Sequence, residues 1–213
     1  MSAGRRLMFV VNNPAFFMSH RVPVALAAQR AGYDVHVATM DGPAVADIQA
    51  LGMTHHAIPM TRSGKHPLQE LGTLLALVRL FRRVRPDVVH LVTIKPVLYG
   101  GIAARLARVR GMVAAISGLG FVFLSNSLKM RLVRSVVARL YRIALGHPNS
   151  RVIFQNANDR DLLKSLGAVR DAQVVMIRGA GVDLDAYRAL PEPPAPPVVV
   201  TMVARLLRDK GVQ

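Results

Sequence analysis

Short apolar runs rich in β-branched residues alternate along the chain with longer segments whose apolar residues recur every three or four positions. The short runs are typical of buried parallel strands, and the longer segments are typical of amphipathic helices. The predicted strands cover residues 7–11, 34–39, 54–58, 88–92, 113–116, 152–154 and 174–177. Their alternation with helices predicts an α/β fold with a doubly wound, mostly parallel, Rossmann-like sheet covered on both faces.

Glycine, proline and capping residues set the ends of the predicted helices. The helix after the first strand is predicted to begin near Ser19 as its N-cap and to close at Gly32, with Asn12-Asn13-Pro14 as a turn. Further helices are predicted over residues 44–51, 67–85, 100–108, 127–145 and 159–166. In the helix that starts at Pro67, the stripe expected to face the core is Leu68, Leu71, Leu75 and Val78.

Residues 87–123 form one complete strand–loop–helix–strand–loop unit, around which the rest of the chain is organised. Both of its loops leave the carboxyl ends of their strands, which is where open α/β sheets bind ligands. We therefore expect the active cleft at these loops. The candidate cleft residues in this unit are Lys95, Gly100, Gly101, Ser117, Gly118 and Gly120.

Gly100 and Gly101 at a helix start allow two explanations. Glycines there let backbone N–H groups approach an anion, to which Lys95 would add a positive charge. Alternatively, glycine is required by a close contact between the helix and its neighbours. The sequence leaves both open.

The composition changes abruptly near the C-terminus. Residues 190–197 are rich in proline and predict a stiff linker. We expect one domain over residues 1–189, the linker, and the first strand and turn of a second domain over residues 198–213, with a buried strand at 198–203. On this expectation the chain is truncated just inside its second domain.

The charge balance points to anionic partners. Lys and Arg number 28 against 12 acids, for a formal net charge of +16, and residues 88–158 hold ten basic residues without one acid. Such a field attracts nucleic acid, anionic lipid or diphosphate-bearing molecules. There is no cysteine, so disulfides and thiolate metal sites are excluded, and no apolar run reaches the length of a membrane span.

Few other motifs carry chemistry. There is no G-x-G-x-x-G after the first strand and no P-loop. Asp183-Leu184-Asp185 is assigned to helix capping, and no metal site is predicted. Of the histidines, His20 is a candidate at the cleft edge, His90 is expected to be a satisfied core histidine, and His55-His56 are expected to be solvated.

Several segments in this order resemble the N-terminal half of a GT-B-fold retaining glycosyltransferase of family 4. They are SHRVPVALAAQRAGYDVHVAT, HLVTIKPVLYGGIAAR, AISGLGFVF, FQNANDRDLLKSLG, RGAGVDLDAY and MVARLLRDKGV. Within that family the likeness is greatest to enzymes that extend glycans on polyprenyl diphosphate in bacterial surface-polysaccharide assembly. The resemblance implies an acceptor-binding domain facing a second domain that holds a nucleotide-sugar, commonly a UDP-sugar, with no metal or other cofactor.

The resemblance also implies roles for individual residues. Arg205 and Lys210 match the family's donor-diphosphate pair, with Ala204 in place of the usual glycine. Ser117 occupies the position of a His or Glu found near the reacting centre in many relatives, and with His20 it is the catalytic candidate. Lys95 matches a cleft-lining position of the closer relatives, and Arg21 matches the Arg that opens the first helix. With Asn13, these two residues are the candidates on the acceptor side of the cleft.

The expected partners follow from this resemblance. They are a nucleotide-sugar, a lipid-diphosphate-linked acceptor and, by peripheral contact, the anionic inner face of the cytoplasmic membrane. The apolar and basic segments 62–85 and 129–142 are the candidates for that contact. We expect no nucleic acid, because the few aromatic residues are not interleaved with the arginines.

Two alternatives remain. A non-enzymatic polyanion-binding module would bind RNA or DNA with a steep salt dependence. A GT-B-fold sugar-nucleotide epimerase would need an acidic or histidine cluster in the cleft. We expect negligible turnover from this chain alone.

Overall fold

The computed structural model of the chain describes residues 4–60, 67–119, 128–179, 181–192 and 196–203, with the backbone alone for 128–134. Two units are distinguished, Met1–Ala180 and Gly181–Gln213. All regular secondary structure of the described residues lies in the first unit.

Seven strands form one sheet, and every pair of neighbours in it is parallel. The strands are β1 (Arg6–Val11), β2 (Asp34–Thr39), β3 (Thr54–Ala57), β4 (Val88–Val92), β5 (Gly111–Ile116), β6 (Ser150–Phe154) and β7 (Val174–Met176). Their order is β3-β2-β1-β4-β5-β6-β7. The predicted doubly wound parallel sheet is therefore confirmed, and the chain reverses its winding direction between β1 and β4.

The helices cover both faces of this sheet. They are α1 (Pro14–His20), α2 (Val22–Arg30), α3 (Val45–Ala50), α4 (Pro67–Val84), α5 (Gly101–Leu106), α6 (Leu128–Leu145) and α7 (Ala157–Ser165). A π-helical turn, Pro96–Gly100, runs directly into α5, and a 3₁₀ turn, Asp171–Gln173, precedes β7. No helix in the described part of the chain combines the length and apolarity that crossing a bilayer requires.

The two faces of the sheet hold separate hydrophobic cores, because successive residues of a strand point to opposite sides. Phe9, Val11 and Val37 pack with α1, α2 and α3 on one face. Met8 and Leu91 pack with the α4–α7 layer on the other. Side chains on β1 and β4 thus contribute to both cores.

Helix α1 was missed by the sequence analysis. Asn13 is its N-cap, and the Asn13 Oδ1 accepts hydrogen bonds from the backbone N–H of Ala15 at 2.8 Å and of Phe16 at 3.4 Å. Ser19 lies inside this helix rather than capping the next one, which begins after Arg21. An Asn N-cap followed by proline is itself a helix-start signal, so the prediction of a turn was wrong.

The apolar stripe predicted for α4 was also wrong in part. Leu68, Leu71 and Leu75 are 73%, 51% and 44% exposed, whereas Val78 is buried as expected. The buried face carries Thr73, Leu77, Leu80, Phe81 and Val84 as well. The helix has two apolar faces, and periodicity alone could not decide which one packs on the sheet.

Residues 198–203 do not form the predicted buried strand. They lie outside any strand, and Val198 and Val200 are 82% and 91% exposed. A short apolar run cannot hold strand geometry without a neighbour that accepts its ladder hydrogen bonds. The domain bounds proposed from the sequence stay a prediction.

Candidate functional site

A cavity of about 430 Å³ lies where the winding direction reverses, at the carboxyl ends of β1 and β4. The chain leaving β1 enters α1 on one face, while the chain leaving β4 enters the π turn on the other, so the two loops diverge and open a crevice. Its lining residues are Asn12, Asn13, Ala15, Phe16, Ser19 and Thr93. We call this cavity the switch-point crevice.

Thr93 is the most unusual residue of the crevice. Its φ angle is 75°, in the left-handed region that a β-branched residue rarely adopts. The Thr93 Oγ1 is also buried without a hydrogen-bond partner among the described residues. Strain of about 1–3 kcal/mol and an unsatisfied hydroxyl are characteristic of residues held in place for binding or catalysis. No sequence signal pointed to Thr93, since threonine does not encode this conformation.

Asn13 and His20, both predicted from the sequence, lie at or beside this crevice. Asn13 lines it and at the same time caps α1. His20 is exposed at the end of α1, where its ring stacks on that of Phe16 with 4.1 Å between centroids and its Nδ1 lies 2.7 Å from Ser19 Oγ. Since Phe16 and Ser19 line the crevice, His20 is its neighbour rather than part of its wall.

Lys95 follows β4 and is paired with an acid that the sequence analysis did not find. Its Nζ lies 2.6 Å from Glu70 Oε1 on the first turn of α4, and both side chains are less than one-fifth exposed. Burial and the hydrogen bond to Glu70 raise the pKa of Tyr99 above its usual range. The carboxylate of Glu70 offsets the positive charge that Lys95 was expected to add at the cleft. Glu70 is 25 positions away in sequence, and only the fold brings the two together.

Gly100 and Gly101 are explained by packing. A Cβ on Gly101 would lie 2.7 Å from the Ala144 carbonyl oxygen on α6, and one on Gly100 would lie 2.7 Å from the Leu91 side chain. The Gly101 N–H donates within the helical segment to the Leu98 and Val97 carbonyls. The alternative of an anion cradle is therefore wrong, because the π turn already precedes these residues and they do not form a helix N-terminus.

Ser117 and Gly118 lie directly after β5, one strand away from the crevice. Ser117 is exposed, and Gly118 has a φ of 127°, which side-chain-bearing residues rarely adopt. Gly120, Arg205 and Lys210 lie outside the described residues. Their roles, like that of Ser117, stay predictions.

Arg21 and His90 meet on the α1–α3 face of the sheet although 69 positions separate them, and the sequence analysis did not connect them. Arg21 is only 8% exposed, and its Nε and the His90 Nε2 are buried without hydrogen-bond partners among the described residues. Desolvation, with a further contribution from the charge of Arg21, lowers the pKa of His90 to about 4. His90 is therefore neutral at pH 7, and the prediction that it is a satisfied core histidine was wrong.

The remaining histidine prediction was also wrong. His55 and His56 are half-buried, and they bond to Thr39 Oγ1 at 2.9 Å and to His36 Nδ1 at 3.0 Å. Within the residues that the structure describes, no three His, Cys, Asp or Glu side chains are grouped so as to hold a metal ion.

These features define a Rossmann-like α/β domain with a crevice at its topological switch point. A family model described as glycosyl transferase 4-like matches residues 6–156. This match covers well over half of the chain, from β1 to the residues after β6. The chain belongs to the glycosyl transferase 4-like family.

A curated relative from Campylobacter jejuni is N,N'-diacetylbacillosaminyl-diphospho-undecaprenol alpha-1,3-N-acetylgalactosaminyltransferase. It is 22% identical over 222 aligned residues, which include 98% of this chain and 58% of that protein. The chain thus spans a little over half the length of this relative. Neither the family nor this relative supports the nucleic-acid-binding alternative.

Solved structures share the fold at low sequence identity. A glycosyltransferase from Rickettsia africae has a TM-score of 0.63 at 15% identity, with 87% of this chain and 45% of that one covered. Anabaena HepE, solved in complex with UDP and glucose, has a TM-score of 0.59 at 17% identity, with 87% and 47% covered. A UDP-N-acetylglucosamine 2-epimerase has a TM-score of 0.57 at 14% identity, with 82% and 48% covered.

Proposed function

We propose that this chain is the acceptor-binding part of a retaining glycosyltransferase, which moves a sugar from a UDP-sugar to a lipid-diphosphate-linked acceptor. The observation that carries the proposal is the switch-point crevice with its strained Thr93, in a chain of the glycosyl transferase 4-like family. The named reaction of the Campylobacter jejuni relative supports a polyprenyl-diphosphate acceptor. The UDP and glucose bound to HepE support a nucleotide-sugar donor.

The crevice suits the acceptor sugar rather than its diphosphate. Its described wall offers hydroxyl and amide groups from Thr93, Ser19 and Asn13, and it contains no charged side chain. Neutral hydrogen-bonding groups beside an aromatic ring such as Phe16 are the usual means of holding a polar, uncharged ligand. In this proposal Ser117 and His20 lie near the reacting centre, and Arg205 and Lys210 hold the donor diphosphate.

The outer surface of α4 supports a peripheral contact with an anionic membrane. Leu68, Leu71 and Leu75 form an exposed apolar stripe, which continues on the same side of the helix as exposed Arg79 and Arg82. An apolar stripe with basic residues beside it is typical of helices that lie in a lipid interface. Because α4 runs antiparallel to the strands, its leucines lie at the edge of the sheet that holds the crevice. A lipid-linked acceptor in the same membrane would then reach the crevice without leaving the bilayer.

The test of the acceptor half is binding. Isothermal titration calorimetry of this chain with a short-chain polyprenyl-diphosphate-linked N-acetylhexosamine is expected to give saturable binding. The same lipid diphosphate without its sugar is expected to bind at least tenfold more weakly. Equal affinity for the two ligands, or no binding of either, would contradict the proposal.

Turnover is tested separately. It requires a protein that also contains the proposed donor-binding domain, because this chain alone is expected to give negligible turnover. A panel of UDP-sugars with the same acceptor, analysed by mass spectrometry, then identifies the donor from the mass added to the acceptor. The stereochemistry of the new bond, read by NMR, is expected to match that of the donor. An inverted product would contradict the assignment as a retaining enzyme.

A further inference from the structure

A second cavity, of about 190 Å³, lies on the α1–α3 face of the sheet and shares no lining residue with the switch-point crevice. Its walls are Arg21 and Val24 at the start of α2, His90 on β4, Ala115 on β5, and Gln155 and Ile177 beyond the ends of β6 and β7. Helix α2 bounds it on one side and the open sheet forms its floor. We call it the Arg21 cavity.

The polar side chains that line this cavity offer hydrogen-bond donors, and none of them carries a negative charge. Arg21 donates from Nη1 to the His20 carbonyl at 3.0 Å, which leaves its Nε buried and without a partner. His90 is held by stacking on Phe9, with 5.1 Å between ring centroids, and its Nε2 is likewise buried without a partner. Two neighbouring elements thus each bring to the cavity wall a residue that carries a buried nitrogen atom without a hydrogen-bond partner.

Among the described residues, no acid balances the positive charge of Arg21. The residues that line the cavity include no Asp or Glu, and none of the ion pairs among the described residues involves Arg21. Desolvation by burial lowers the pKa of Arg21, which is the direction expected of a guanidinium lacking a nearby counter-charge. A buried charge without a partner is strongly destabilising. A buried arginine at position 21 is explained if an anion occupies the cavity in the functional state of the protein.

We propose that the Arg21 cavity binds an oxyanion, a phosphoryl or carboxylate group, between the Arg21 guanidinium and the His90 imidazole. A guanidinium presents two parallel N–H donors with the spacing of two oxygens of one such group. Neutral His90 supplies a further donor when its proton is on Nε2. The inference concerns anion binding alone and holds whether or not the proposed sugar transfer occurs.

Thermal unfolding gives the first test. Phosphate, diphosphate and acetate are added separately, each against sodium chloride of equal ionic strength, and a tenfold excess over Kd is expected to raise Tm by roughly 3–6 °C. A rise in Tm with phosphate or diphosphate but not with acetate would indicate a phosphoryl ligand. A rise with acetate as large as that with the phosphates would indicate a carboxylate. No rise beyond the chloride control with any of the three would overturn the proposal.

Variants locate the effect. Arg21→Met is expected to abolish the anion-dependent rise and, without added anion, to raise Tm, because it removes an uncompensated buried charge. Arg30→Gln is the matched control, since Arg30 lies exposed at the other end of the same helix, and it should respond as the unaltered protein does. A rise that survives Arg21→Met would place the anion elsewhere and contradict the proposal.

The unaltered protein provides a direct readout at Arg21 itself. In a ¹⁵N-labelled sample the Arg21 Nε–H resonance, assigned by its loss in Arg21→Lys, is expected to move downfield on addition of diphosphate. An Arg21 resonance that stays in place while other arginines shift would also overturn the assignment.

Discussion

Thr93 combines two features that are each unfavourable, a left-handed backbone in a β-branched residue and a buried hydroxyl with no partner. The two can be separated by substitution. Valine keeps the branched shape and the backbone strain while it removes the hydroxyl, whereas glycine removes the strain and the side chain together.

Thr93→Val is expected to leave stability unchanged or to raise it by about 1 kcal/mol, because an unsatisfied buried hydroxyl is lost. Binding of the lipid-linked sugar acceptor should fall about tenfold, the equivalent of one hydrogen bond. Urea unfolding and calorimetry measure the two quantities. Thr93→Gly should be more stable than Thr93→Val and bind equally poorly. Acceptor affinity unchanged in Thr93→Val would mean that the hydroxyl makes no contact with the ligand.

Three histidines, His55, His56 and His90, make stability dependent on pH, because desolvation lowers the pKa of each. The pKa falls to about 4 at His90, where the charge of Arg21 contributes, and at His56, where His36 and Arg83 contribute. Because an unfolded histidine titrates near pH 6.5, the unfolded state binds more protons between pH 6.5 and 4.

The free energy of unfolding should therefore be constant above about pH 6.5 and fall as the pH is lowered towards 4. The loss attributable to His90 is at most about 3 kcal/mol. Urea midpoints measured from pH 7.5 to 4.5 test this, and His90→Phe should reduce the slope. A stability that rises on acidification would contradict the assignment.

At the scale of elements, α5 approaches α6 closely at Gly101. The added Cβ in Gly101→Ala would meet the backbone and the Cβ of Ala144 at 2.7 and 2.9 Å, so the two helices would have to separate. Alanine's higher helix propensity, about 1 kcal/mol, does not offset this overlap.

Gly101→Ala is expected to destabilise the protein by about 1–3 kcal/mol, measured by urea unfolding. Gly72→Ala is the matched control. Gly72 is exposed within α4, and nothing lies within 4 Å of an added Cβ, so alanine there should stabilise by about 0.5–1 kcal/mol. Equal effects at the two positions would mean that the contact with α6 is not tight.

Most elements could be predicted from the sequence. β-branched runs mark the buried strands, and glycines mark the ends of several helices that follow these strands. The failures have specific causes. Asn13-Pro14 supports either a turn or a helix start, and α4 is apolar on two faces. The pairs Lys95–Glu70 and Arg21–His90 join positions far apart in the chain, and no local pattern encodes such a meeting. Thr93 could not be predicted as a site residue because what distinguishes it is its positive φ angle, which the sequence does not encode.

At the scale of the whole molecule, positive charge is unevenly distributed among the helices. α4, α5 and α6 together carry a single acid, Glu70, and it is paired with Lys95. An arginine-rich surface with exposed leucines should bind anionic bilayers through both charge and apolar burial.

The paired change Leu71→Gln and Leu75→Gln should lower binding to vesicles containing anionic phosphatidylglycerol by roughly tenfold, in line with about 1.4 kcal/mol of lost apolar burial. Vesicle co-sedimentation is the measurement. Leu190→Gln, at a residue 85% exposed in the second unit, is the control and should have no effect. If only Leu190→Gln lowers vesicle binding, or if the paired Leu71→Gln and Leu75→Gln change does not lower it, α4 is excluded as the membrane contact.

The pairing of β1 with β4 has a consequence for how the protein could be divided. Strands β1–β3, which precede Pro67, form one half of the sheet, strands β4–β7 form the other, and the crevice lies along the seam between the two halves. Two polypeptides separated between Met60 and Pro67 would each lack one wall. Mixing them would restore both walls at once, so that recognition of the sugar would report reassembly of the halves.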